Sequence, residues 1–91
     1  MLGEKFDEIM ADIRNGYTYL DYEAKYGDYN LTIILNRDSS MFDEGDILIY
    51  GLSDTHEFSM VIDLAKFVNE TCEQIEERIN SVIYHIATEI Q

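Results

Sequence analysis

Residues 64 to 90 read LAKFVNETCEQIEERINSVIYHIATEI, and the rest of the chain has to be arranged around this stretch. Leu64, Val68, Cys72, Ile75, Ile79, Val82, Ile83, Ile86 and Ile90 recur at steps of three and four, as one face of a helix requires. Glu70, Glu73, Glu77, Asn80 and Tyr84 fall on the opposite side. The spacing predicts a long amphipathic helix whose dry face other elements must cover. Asp63 is placed to cap an early start, because its carboxylate can accept a first-turn N–H. Thr71 with Gln74 offers a capping box for a later start. The stripe runs back through Val68 and Leu64, which favours the early start, with a kink near Asn69. Phe67 projects off the stripe, near the flank of Lys66, Ser81 and His85.

Upstream, Leu2 to Arg14 reads as a first helix, with Phe6, Ile9, Met10 and Ile13 on one face and Asn15-Gly16 as its stop. Tyr17 to Tyr26 alternates instead: Thr18, Leu20, Tyr22, Ala24 and Tyr26 share one side, and Tyr17, Tyr19, Asp21, Glu23 and Lys25 the other. Period two marks a strand. Gly27-Asp28 turns it into a second, Tyr29 to Asn36, with Leu31, Ile33 and Leu35 toward the core. Arg37 to Asp46 is a polar connection. Ile47 to Leu52 is apolar almost throughout and suits a central strand, and Phe58 to Ile62 is a fourth strand or a strand end. The expected architecture is α+β in one domain, residues 1–91: a helix, an antiparallel meander of three or four strands, and a long helix, with helices on one sheet face.

A chain of 91 residues holds one modest core. The single cysteine, Cys72, allows neither an internal disulfide nor a cysteine-based zinc site, and on the stripe it reads as a small buried hydrophobe. The acidic N-terminus does not read as a signal peptide, and no stretch is apolar for long enough to span a bilayer, so a cytoplasmic setting is expected.

Nucleophilic catalysis needs a nucleophile, a base and an orienting group together. Only His56, in an acidic turn, and His85, on the flank of the long helix, could serve as histidine bases, and both read as surface residues. Asp38, Asp43, Glu44 and Asp46 crowd one loop but lack the ligand order of a calcium-binding EF-hand. No glycine-rich phosphate loop occurs. The expectation is a protein without enzymatic activity, metal or cofactor.

Charge is the feature that points to function. Nineteen acids against six bases give a net charge of −13, which opposes direct binding to nucleic acid or to an anionic membrane. Asp21 and Glu23 project from one side of a strand roughly 6.5–7 Å apart, close to the spacing of successive phosphates. Asp28 lies in the adjoining turn, and Asp38, Asp43, Glu44 and Asp46 add a second group. Glu70, Glu73, Glu76 and Glu77 line the long helix, and Glu73 with Glu77 is a like-charge pair that favours the approach of a cation. Tyr84 sits on that acidic side and, with Tyr17 and Tyr19, is a candidate anchor for arginine-rich surfaces. For any single acid, solvation is explanation enough; the unbroken ensemble is what needs another.

In size, acidity, tyrosine content and element order, the chain resembles small phage-encoded inhibitors of nucleic-acid-binding machinery, including anti-CRISPR proteins and other DNA mimics. The resemblance covers composition and order and carries no shared motif. It implies stoichiometric inhibition, in which carboxylates replace phosphates against the basic site of a partner such as a nuclease. An immunity or antitoxin protein capping a cationic toxin follows the same charge logic. A structural domain, acidic only for solubility and pairing through its long helix or a strand edge, would have no basic partner. Monomer and homodimer are both compatible with the sequence.

Overall fold

A computed structural model describes residues 2–37 and 44–89. It contains α1 (Gly3–Arg14), β1 (Tyr19–Tyr26), β2 (Tyr29–Asn36), β3 (Asp46–Leu52), β4 (Glu57–Asp63), α2 (Leu64–Asn69) and α3 (Cys72–Glu89). The strands form one antiparallel sheet in chain order, β1-β2-β3-β4. Among the described residues, helices lie on one face and no element covers the other. This is the α+β arrangement expected from the sequence.

Alternation builds the sheet's two faces. Tyr22, Tyr29, Leu31, Ile33, Leu35, Ile47, Ile49, Phe58 and Ile62 point inward and are buried. They meet Phe6, Ile9 and Ile13 of α1, Leu64 and Phe67 of α2, and Ile75 and Ile79 of α3 in one core. Tyr26 pairs with Tyr29 across a two-residue turn in which Gly27 has φ +61°, the first-position glycine of a hairpin turn whose twist suits the strands. The fourth segment is a full strand, Glu57–Asp63, on the sheet edge. Two side-chain bonds tie the layers together. The Tyr22 hydroxyl donates to Asp12 Oδ2 at 2.7 Å, and the Tyr26 hydroxyl to Asn80 Oδ1 at 2.7 Å.

The long helix is two helices. Residues Glu70 and Thr71 separate α2 from α3, and Glu70 is extended at φ −100°, ψ 157°. Local hydrogen bonds override the continuous stripe. The Gln74 N–H donates to Thr71 Oγ1 at 3.2 Å, and the Thr71 N–H donates to Gln74 Oε1 at 2.8 Å, a closed capping box that starts α3. Asn69 Nδ2 donates to the Ala65 carbonyl at 2.7 Å, ending α2 on its own backbone. Asp63 begins α2 without a side-chain capping bond, contrary to expectation. The break also reorients Phe67. Instead of projecting off the stripe it is buried, its ring edge-on to Phe6 with centroids 5.5 Å apart. Such a pair contributes about 1 kcal/mol beyond its buried area. Ile75 and Ile79 are fully buried, whereas Val82, Ile83 and Ile86 are half-covered.

The polar connection after β2 begins with a buried residue. Arg37 lies under the junction of α1 and β1, and its Nη1 donates to the carbonyls of Ile13 and Tyr17, both at 3.1 Å. Gly45, at φ +128°, closes that connection. A Cβ there would press on the Asn36 carbonyl and the Arg37 backbone, and its own carbonyl accepts from the Leu64 N–H at 2.9 Å.

Candidate protein-interaction surface

The strand register fixes what the open face presents. Asp21, Ile34, Leu48 and Val61 form one row across the four strands, and Glu23, Thr32, Tyr50 and Ser59 the next. Lys25, Asn30, Leu52 and Glu57 follow toward one end; Tyr19, Asn36, Asp46 and Asp63 lie toward the other. The centre is therefore apolar and the margin carries carboxylates. Val61 is 62% exposed and Leu52 48%. The Tyr50 hydroxyl donates to Glu57 Oε2 at 2.6 Å, holding the phenol diagonally over the face. That bond is the main reason the Tyr50 phenol ionises above its ordinary range.

The acids singled out from sequence divide between two surfaces. Asp21, Glu23 and Asp46 share the open face, and Glu44 is exposed just before Asp46. Asp38 and Asp43 lie outside the described residues. Glu73, Glu77 and Tyr84 belong to α3, on the other side of the sheet; all three are exposed, Tyr84 at 73%. Asp28 is exposed in the β1–β2 turn, where it lines an open polar cleft with Lys25, Asp54 and His56. Tyr17 and Tyr19 are exposed rather than packed under a helix, as an anchoring role requires.

Two glutamates assigned to the outer helix are engaged within the fold. Arg78 grips Glu70 through two parallel bonds, Nε to Oε1 at 3.0 Å and Nη2 to Oε2 at 2.8 Å. Hydrogen bonding to Arg78 holds the Glu70 carboxyl below its ordinary range. Glu76 is half-buried and accepts from the Leu2 N–H at 3.1 Å, joining α3 to the start of α1. Beside them, burial, reinforced by Glu76, Asp7 and Glu73, raises the Cys72 thiol above its ordinary range, which keeps it protonated.

Of the two histidines considered for catalysis, His85 is exposed on α3 and His56 is held within a turn. Ser53 Oγ accepts from the N–H groups of Thr55 at 3.3 Å and His56 at 3.0 Å, and His56 Nδ1 is 2.7 Å from Thr55 Oγ1. Among the described residues, no group of three or more His, Cys, Asp or Glu side chains is arranged to hold a metal ion. No described helix is long and apolar enough to cross a membrane.

The apolar centre of the open face was absent from the sequence-based candidates. Leu48, Tyr50 and Leu52 alternate with buried Ile47, Ile49 and Gly51, so β3 is apolar on both faces. That is how a strand covered on both sides reads. Here only one side is covered by the chain's own described elements. No protein-family model, curated protein or solved structure matches the chain significantly.

Proposed function

We propose that this protein is a non-enzymatic inhibitor that occupies the basic nucleic-acid-binding site of a partner protein, its carboxylates standing in for phosphates. The observation carrying this reading is how the fold distributes its few bases. Of the six, Arg37 is turned inward, Lys5 sits 3.2 Å from Glu8, and Arg78 is gripped by Glu70. The remaining exposed bases are widely outnumbered by exposed acids on both sheet sides. A field this one-sided steers the protein quickly toward a cationic cleft, with an association rate that falls as salt rises. It repels DNA, RNA and anionic lipid for the same reason.

The test is capture and displacement. Immobilised protein is incubated with nuclease-treated lysate, washed at rising salt, and eluted with duplex DNA. The expected result is a nucleic-acid-binding protein released by DNA, whose own DNA binding falls stoichiometrically when free inhibitor is added. A recovered partner that DNA fails to displace, or recovery of nothing but further copies of the chain, overturns the reading.

A further inference from the structure

We infer that the open face of the sheet is the docking surface, and that its occupant is a protein surface with an apolar centre ringed by arginines or lysines. This deepens the proposed function by naming the face and the chemistry of what covers it. Three observations converge. First, half-exposed Ile34 and Leu48 and exposed Val61 stand side by side on adjacent strands, an aliphatic row about 10 Å long across the sheet. Tyr50 and Leu52 extend it along β3.

Second, the margin is predominantly negative. Asp21, Glu23, Asp46, Glu57 and Asp63 point outward around that strip, and among the described residues Lys25 is the only base at an outward strand position. A second copy placed face to face would set carboxylates against carboxylates. A basic partner would meet complementary charge at the rim and bury its apolar centre on the aliphatic row. Third, α3 offers the acids without an aliphatic row between them. Glu73 and Glu77 are exposed there with the single ring of Tyr84, while Ile75 and Ile79 are buried and Val82, Ile83 and Ile86 half-covered on the core side. Charge alone steers association; residence needs buried anchors. The open face supplies both.

The test uses two synthetic helical peptides of equal positive charge as probes. One carries a leucine stripe between its arginines, and the other has serine at every leucine position. Each is titrated into isotope-labelled protein while backbone amide signals are followed. The expected result is that the leucine peptide shifts the amides of Ile34, Leu48, Tyr50 and Val61, and binds at least about tenfold more tightly than the serine peptide. Replacing Val61→Ser and Leu52→Ser together, at two exposed positions, should weaken leucine-peptide binding about tenfold. Neutralising Glu73→Gln and Glu77→Gln should change it less than about twofold.

Equal affinity for both peptides, or shifts concentrated on α3, overturns the assignment of the face. Salt-promoted dimerisation that Val61→Ser abolishes overturns the identity of the occupant. These outcomes are separable from failure of the proposed function. Capture of no DNA-displaceable partner would remove the mimicry reading while the peptide map still stood.

Discussion

Tyr22 shows how one side chain joins layers and titrates with the fold. Its ring is buried among the inward residues while its hydroxyl reaches Asp12 on α1. Burial first, then the bond to Asp12 and the charges of Asp12 and Glu8, raise its phenol well above the ordinary tyrosine range. Folding therefore favours the neutral phenol, and the unfolded chain gives up this proton first. The stabilisation is complete below about pH 10, the unfolded value, and is lost as pH rises from there through the higher folded value. Tyr22→Phe should lower stability by about 1 kcal/mol at neutral pH and flatten the alkaline loss above about pH 10. Urea unfolding on both sides of that pH checks it; an unchanged slope would show that Tyr22 is not the group responsible. The inward position of Tyr22 was legible from alternation, but its partner was not, because Asp12 belongs to a separate element. Arg37 was hidden for the same reason: its acceptors are the carbonyls of Ile13 and Tyr17, which only the folded chain brings beside it.

At the scale of elements, the strands and the first helix were readable because each carries its own period and its own stop. In the last third the kink near Asn69 and the Thr71–Gln74 box are legible, but the preferred unbroken helix from Leu64 gives way to two, because period and capping disagree there. Leu64, Val68, Cys72 and Ile75 keep helical spacing across a point where Asn69, Thr71 and Gln74 satisfy the backbone in another way. Three side-chain bonds to the backbone, one from Asn69 and two in the Thr71–Gln74 box, decide the break. Thr71→Ala should therefore cost about 1 kcal/mol and loosen the first turn of α3. Amide hydrogen exchange would show faster exchange at Gln74 and Ile75; protection equal to that of the unaltered protein would mean that the box does not hold the break. Gly51 marks another element-scale choice that composition could not reveal. A Cβ there would meet the ring of Phe58, whose centroid lies 5.2 Å from that of Tyr29, so the glycine makes room for an aromatic pair.

For the whole molecule, the charge was legible from composition, and the shared side of Asp21 and Glu23 from alternation. Which acids act together was not, because that depends on which sheet face the helices take. With the helices in place, Asp21, Glu23 and Asp46 separate from Glu73, Glu77 and Tyr84, and the aliphatic row appears between the carboxylates of the open face. The row is not legible in the sequence, because an apolar β3 suits a fully covered central strand as well as a half-covered one.

The order β1-β2-β3-β4 has a kinetic consequence. Every strand pairs with its neighbour in the chain, so each hairpin can close over a short loop before any distant contact is made. The 91 residues contain no proline, and no slow peptide-bond isomerisation stands between the unfolded chain and the native one. Refolding after dilution from urea should then follow a single exponential on roughly the millisecond scale, without a phase lasting tens of seconds. Stopped-flow tyrosine fluorescence would record it. A slow major phase would mean that closing α3 over the finished sheet, rather than zipping the strands together, limits the rate at which a new chain reaches its native state.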